Sequence, residues 1–210
     1  MIFDKITLGI LDSHTYILAD EDSREGVIID IGGDFDKLKQ KIADLGVKIE
    51  KVLLTHGHLD HMLEAAKARD YYEASIYLSE EDKDIFKGQK IRAFYGNDVP
   101  SDLPVDVFIK DDDIITFGRH KIKVIHTPGH TQGSVCFLAD DRFLMTGDTL
   151  FKNTIGRTDG AGGDTQQEIE SIKSKLLILP DDVEVFPGHG DSTTIGQEKA
   201  NNPCLTAADS

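Results

Sequence analysis

The sequence is poor in cysteine and in positive charge, and both shortages restrict what the protein can do. It has two cysteines, Cys136 inside an apolar run and Cys204 in the tail, a spacing that favours neither a disulfide framework nor a thiolate metal site. Its 23 lysines and arginines face 38 aspartates and glutamates, for a formal net charge of -15. A surface of that sign repels phosphate backbones and anionic membranes, so we expect neither as a partner.

Long hydrophobic runs are also missing. The opening segment, MIFDKITLGILDSH, carries acidic residues early instead of a basic segment followed by an apolar stretch, and no run elsewhere approaches the length of a transmembrane helix. With so few cysteines, these features predict a cytoplasmic protein. The 39% of hydrophobic residues suffices for the core of one large domain.

The order of the apolar segments predicts an α/β (α+β) fold. Short β-branched runs come first, then a helix that ends at Gly46, the strand KVLLT and a helix in HMLEAAKARDYY. After an acidic connection, where SEED is typical of a solvated turn, the second half repeats the order and adds a helix with the capping box TQQE from about Thr165. Each half of the chain thus has strands followed by helices. This order predicts a four-layer αββα sandwich of two mixed β-sheets with helices on the outer faces. We expect one domain over residues 1–210, in two pseudo-repeated halves of about 1–105 and 106–210.

Histidine is concentrated at one strand end, LLTHGHLDHM, which holds three of the chain's 8 histidines. In extended backbone the side chains of residues i and i+2 point the same way, so His56 and His58 can reach one ion. Asp60 and His61 then begin a helix, which brings one carboxylate and one further imidazole to the same place from another direction. A mixed nitrogen and oxygen set with little sulfur favours zinc or iron, and manganese is a further alternative.

Three more candidate ligands follow strands of the second half. His130 lies in TPGHTQGS, Asp148 in TGDTLF and His189 in PGHGD. Binding sites are usually gathered from loops over a rigid sheet, so residues at equivalent strand ends are expected to converge. Seven ligands are too many for one zinc ion.

In this order, THGHLDH, TPGHTQGS, GDTLF and PGHG resemble the metallo-β-lactamase superfamily and, within it, the glyoxalase II-like (hydroxyacylglutathione hydrolase-like) hydrolases. IGRTDGAGGD and TTIGQEKANNP, which follow GDTLF, are similar to the short bacterial branch of that group. The resemblance covers nearly the whole chain and implies the metallo-β-lactamase fold.

The resemblance also implies a site with two divalent metal ions, zinc first, with iron or manganese as alternatives. The first ion is expected on His56, His58 and His130, the second on Asp60, His61 and His189, with Asp148 bridging both. A hydroxide shared by the two ions, oriented by Asp60 as the catalytic residue, would then attack a small thioester. The implied activity is that of a metal-dependent thiolesterase acting on a small molecule.

The same motifs also fit other functions and roles. A persulfide dioxygenase with a single iron shares the histidine motif and a GRTD-like segment, and a non-catalytic metal-binding sensor would need the same ligands. Asp30, in the middle of VIIDIGG, either fixes a ligand histidine or merely lies at a junction between a strand and a turn. Arg157 either anchors an anionic group of the substrate or forms a structural ion pair.

Overall fold

The computed structural model describes residues 1–88, 99 and 102–206, and these form two compact units. Unit 1 comprises Met1–Ile109 and Thr116–Lys121. Unit 2 comprises Lys110–Ile115 and the described residues from Ile122 onward. Each unit holds most of one six-stranded mixed sheet and has its own helices.

The sheet of unit 1 has its strands side by side in sequence order. The first three strands pair antiparallel through short turns, whereas β3 to β6 run parallel. Parallel neighbours need a crossover connection, and the helices of this unit lie in those connections. The strands are β1 (Ile2–Leu8), β2 (Ser13–Ala19), β3 (Glu25–Ile29), β4 (Lys48–Leu53), β5 (Ser75–Ser79) and β6 (Val107–Ile109), and the helices are α1 (Phe35–Leu45), α2 (Leu59–Met62) and α3 (Ala65–Tyr72).

Helix α1 forms where the sequence predicts it. Phe35, Leu38 and Ile42 recur at helical spacing and are buried in the core of unit 1. Gly46 ends the helix in the left-handed conformation, with φ of 63°, and its N–H bonds the carbonyls of Ile42 and Ala43.

The helix predicted in HMLEAAKARDYY is broken into α2 and α3. The N–H of Glu64 donates to the carbonyl of Ile31 at 3.1 Å. This bond replaces the one that the N–H would make within a continuous helix. The N–H of Ile31 in turn donates to the carbonyl of His61 at 2.6 Å. The loop after β3 is therefore tied to the short helix that carries Asp60 and His61.

The sheet of unit 2 has the order β14-β13-β10-β9-β8-β7. Its strands β9 and β10 pair antiparallel, and β10 and β13 pair parallel, with the helical segment of the unit between them in the chain. The strands are β7 (Ile114–Phe117), β8 (His120–His126), β9 (Val135–Ala139), β10 (Phe143–Gly147), β13 (Glu184–Pro187) and β14 (Thr193–Thr194), with a small hairpin of β11 (Leu150–Phe151) and β12 (Thr154–Ile155). The helices are α4 (Thr165–Ser171), α5 (Ile195–Asn201) and α6 (Pro203–Thr206), and a π-helical turn (Ile172–Leu176) continues α4.

The cap of α4 differs from the one that the sequence predicts. Asp164, one residue before the TQQE box, accepts the N–H of Gln167 at 3.0 Å and so caps the helix. Glu168, the fourth residue of the box, is fully buried and bonds outside its own helix. Its carboxyl group therefore bonds the loop of His130 instead of capping its own helix.

The two mixed sheets with their helices confirm the predicted α/β (α+β) class. Among the described residues, no helix has both the length and the apolar character needed to cross a membrane.

Candidate metal centre

Unit 1 brings its four predicted ligands together just after β4. The ring centres of His56 and His58 are 4.7 Å apart, and those of His56 and His61 are 4.2 Å apart. The Nε2 atom of His61 lies 3.6 Å from Oδ2 of Asp60. His56 and His61 are almost completely buried. Three imidazoles and one carboxylate thus converge from a strand end and a single turn of helix.

Asp30 connects two of these histidines through one carboxylate. Its Oδ2 lies 2.8 Å from Nδ1 of His61 and accepts the hydroxyl hydrogen of Thr55 at 2.7 Å, while its Oδ1 accepts the Thr55 N–H at 2.8 Å. The Thr55 oxygen lies 3.0 Å from Nδ1 of His56. Because this hydroxyl already donates to Asp30, it accepts from His56, so both rings carry their proton on Nδ1. The Nε2 atoms of His56 and His61 then keep the lone pairs that a metal needs.

The loop after β3 approaches α2 too closely for a side chain. Asp30 itself has φ of 58°, a conformation that aspartate tolerates better than most residues. A Cβ at Gly32 would come within 1.9 Å of the Asp60 carbonyl oxygen. Glycine at position 32 therefore lets the loop that carries Asp30 pack directly on the backbone of Asp60, a candidate ligand.

Asp82 holds the turn between His56 and His58. Its Oδ2 accepts the N–H of Gly57 at 2.8 Å, and the residue is fully buried. A Cβ at Gly57 would lie 2.6 Å from the Asp82 carbonyl oxygen. The interpretation of SEED as a solvated turn is therefore wrong for its last residue, because this carboxylate faces the backbone of the histidine motif.

Unit 2 brings together the three other predicted ligands, with His130 and His189 both close to Asp148. Its Oδ2 lies 3.8 Å from Nε2 of His130, and its Oδ1 lies 3.8 Å from Nε2 of His189. Asp148 and His189 follow the parallel neighbours β10 and β13, whose ends are joined by the Gly188 N–H bonding the carbonyl of Gly147 at 2.7 Å. Each oxygen of one carboxylate thus faces a different histidine.

His130 is fixed at two points. Its Nδ1 lies 2.6 Å from the carbonyl oxygen of Arg157, an acceptor, so the proton is on Nδ1 and Nε2 is available as a ligand. Its backbone N–H donates to Oε2 of Glu168 at 2.7 Å. Burial raises the pKa of Glu168 to about 8, against the opposing effect of this N–H.

The side chain of Arg157 pairs with Asp159. Its guanidinium makes two hydrogen bonds to Asp159, at 3.1 and 3.0 Å, and is 84% exposed. Of the two roles considered for Arg157, the ion pair is the contact that the structure contains. The backbone contact with His130 has no sequence signal.

The donor sets of both units fit divalent cations. Zinc binds histidine nitrogen and carboxylate oxygen at about 2.0–2.2 Å, so two ligands of one tetrahedral ion lie about 3.3–3.6 Å apart. The 3.6 Å separation in unit 1 and the two 3.8 Å separations in unit 2 are close to that range. Imidazole and carboxylate donors without thiolate suit zinc, iron and manganese.

Comparison with known proteins supports this interpretation. The chain matches the Metallo-beta-lactamase superfamily model over residues 8–189, a range that includes all seven candidate ligands. Hydroxyacylglutathione hydrolase GloC of Haemophilus influenzae is 38% identical over 191 residues, which cover 89% of this chain and 90% of that protein.

Solved structures agree with the family match. BLEG-1, described as a B3 metallo-beta-lactamase, has a TM-score of 0.89 and 35% identity, covering 98% of this chain and 100% of its own. TTHA1623 in a di-iron-bound form has a TM-score of 0.84 and 32% identity, and the match covers 95% of this chain and 98% of TTHA1623. ETHE1 from Myxococcus xanthus has a TM-score of 0.81 and 30% identity, and the match covers 97% of this chain and 84% of ETHE1. As its four sequence motifs predict, the chain belongs to the metallo-beta-lactamase superfamily.

Proposed function

We propose that the chain is a dinuclear metal-dependent hydrolase that cleaves a small thioester. One ion would be held by His56, His58 and His130, and the other by Asp60, His61 and His189, with Asp148 contributing to both. The observation that carries the proposal is the position of the Asp148 carboxylate, whose two oxygens each lie 3.8 Å from Nε2 of a different histidine.

A shared carboxylate explains why so many donors are present. Seven side chains exceed what one four-coordinate ion uses, whereas two ions with a common ligand use all of them. His130 and His189 face opposite oxygens of Asp148, which suits two separate ions better than one. The match of the superfamily model to residues of both units supports the joining of the two ligand sets.

The bound ions would supply the acidity that makes water a nucleophile near neutral pH and would polarise the carbonyl of the substrate. Asp60 orients the attacking water by accepting its hydrogen bond and lies 3.6 Å from the imidazole of His61. The Asp30 and Thr55 network keeps His56 and His61 in the tautomer that can act as a ligand. Burial of these groups excludes bulk water and strengthens their electrostatic effect.

The substrate class rests on family likeness. GloC, a hydroxyacylglutathione hydrolase, matches 89% of this chain, which supports a thiolesterase over other hydrolases. We propose zinc as the first choice of metal and iron or manganese as alternatives, because the donors are imidazole and carboxylate. We place the enzyme in the cytoplasm because its two cysteines are not spaced for a disulfide framework. Its charge of -15 favours a small molecule over nucleic acid or an anionic membrane as its partner.

A thioester assay tests the proposed function. Purified protein loaded with zinc, iron or manganese should release free thiol from hydroxyacyl thioesters, lose that activity on chelation and regain it when metal returns. The substrate panel should pair glutathione esters with simple-thiol esters of the same acyl group. Protein with full metal content that hydrolyses no thioester of this panel would refute the proposal.

The second candidate is persulfide oxidation by a single iron. The likeness to ETHE1, at 30% identity over 97% of this chain, favours it. A requirement for molecular oxygen distinguishes the two functions, because hydrolysis consumes water and no oxygen. If thiol release proceeds equally in anaerobic buffer, the reaction is hydrolysis. Oxygen uptake with a persulfide and one iron per chain would establish the alternative.

A further inference from the structure

Glu168 on α4 is a buried carboxylate with no place among the seven candidate ligands. It has no exposed surface, and its Oε2 accepts the backbone N–H of His130 at 2.7 Å. Because Asp164 already caps α4, Glu168 is not needed at the helix terminus. Burying a carboxylate is unfavourable, so its contacts require an explanation.

Two glycines let Glu168 lie against the backbone of two segments that carry ligands. Gly129 has φ of 150°, and a Cβ there would come within 2.3 Å of Oε2 of Glu168. A Cβ at Gly156 would lie 3.0 Å from Oε1 of Glu168 and 1.9 Å from the carbonyl oxygen of Asp148. One carboxylate thus contacts the turn before His130 and the segment packed on Asp148.

Helix α4 and its cap hold that turn at three successive residues. The hydroxyl of Ser171 donates to the carbonyl of Pro128 at 2.7 Å, and the N–H of Asp164 donates to the carbonyl of Gly129 at 2.8 Å. Glu168 adds the bond to the N–H of the third residue, His130. The first two bonds go to carbonyl groups, so Glu168 supplies the acceptor that the next N–H requires.

We propose that Glu168 is a positioning residue that sets the direction of His130, and the spacing between His130 and Asp148, for metal binding. This inference rests on the proposed function, because it assumes that both side chains are ligands. Glu168 acts on the metal through the two backbone segments. Its contribution is therefore expected in metal affinity and in the coordination geometry of the protein.

A pair of variants of equal length separates positioning from packing. E168Q keeps a carbonyl oxygen that can accept the His130 N–H, whereas E168M fills the same space with apolar atoms. Both are neutral, so they differ chiefly in the acceptor. E168M should fold as well as E168Q, since it replaces a buried polar group with apolar atoms. It leaves the His130 N–H without an acceptor, which should displace the turn.

The probe is Co²⁺, followed by its absorption spectrum and by competition with a chelator, in protein whose fold is verified by circular dichroism. E168M should bind Co²⁺ about 10- to 100-fold more weakly than wild type, with an altered spectrum, and E168Q should restore most of the affinity. Glu170, exposed on the same helix, provides the control E170A, which should match wild type.

Three results would overturn the inference. E168M could bind Co²⁺ like wild type, E168M and E168Q could lose affinity equally, or E168M could be unfolded, which would make Glu168 a requirement of the fold. Wild-type protein that takes up two Co²⁺ ions per chain would leave the proposed dinuclear site intact in each case. Wild type that never binds two ions would instead count against the proposed function.

Discussion

Replacing Asp148 with alanine should remove both metal ions and lower thioester hydrolysis about 1,000-fold or more. Each oxygen of this carboxylate lies 3.8 Å from a different histidine, so in the proposed centre the substitution would remove one ligand from each ion. Metal catalysis supplies several kcal/mol of transition-state stabilisation, and a loss of about 4 kcal/mol corresponds to that factor. Metal content by elemental analysis and the hydrolysis rate, measured on the same sample, check the prediction.

Asp148→Asn refines this test, because it keeps the shape but has one carbonyl oxygen. The Asp148→Asn variant should weaken the binding of one ion more than that of the other. Asp182→Asn, at an exposed carboxylate in the same unit, is the matched control and should retain metal and activity. An Asp148→Ala protein with full metal content and normal turnover would show that the carboxylate is not shared.

Replacing Asp30 with asparagine should weaken metal binding about 10- to 100-fold. The carboxylate faces three hydrogens, on the Thr55 nitrogen, the Thr55 hydroxyl and Nδ1 of His61. An amide has a single acceptor oxygen, so its NH₂ group would oppose at least one of these donors. His61 would then favour the tautomer with its proton on Nε2, where the metal needs a lone pair. Chelator competition measures the affinity, and hydrolysis should fall with it.

The control for Asp30 is Asp12→Asn. Both residues have a positive φ, 58° for Asp30 and 54° for Asp12, so the two substitutions place equal demands on the backbone. Asp12 is exposed, however, and should tolerate the change. Equal metal affinity in the two variants would mean that Asp30 does not orient His61.

The grouping of the candidate ligands could be predicted from the sequence because their signals are local. His56, His58, Asp60 and His61 lie within six positions of one another, and the geometry of a strand end and a helix start brings them together. His130, Asp148 and His189 each follow an apolar strand. Strand ends of one sheet meet at one edge, so order along the chain was enough to group them around Asp148.

The residues that hold those ligands could not be predicted in the same way. Asp82 bonds a backbone N–H 25 positions away, and Glu168 bonds one 38 positions away. A backbone N–H has no sequence signature, so nothing in SEED or TQQE distinguishes a buried carboxylate from a solvated or capping one. Asp30 was a candidate because of its place at a strand end, but its link to Thr55 depends on the parallel pairing of β3 and β4.

The predicted ends of two helices were wrong for a related reason. The residues of HMLEAAKARDYY favour one helix, and the break at Glu64 comes from the carbonyl of Ile31, which lies in a different part of the chain. The cap at Asp164 was missed because two good capping residues, Asp164 and Thr165, are adjacent. Local propensity identified both helices, whereas tertiary contacts set their ends.

The metal content of the wild-type protein tests the dinuclear centre most directly. Protein purified without added metal should be loaded separately with zinc, iron and manganese, freed of excess ion and measured by elemental analysis against its concentration. The expected result is about two ions per chain for at least one metal, because seven donors with a shared Asp148 carboxylate suit two ions. A content that stays near one ion per chain with all three metals would contradict the dinuclear centre.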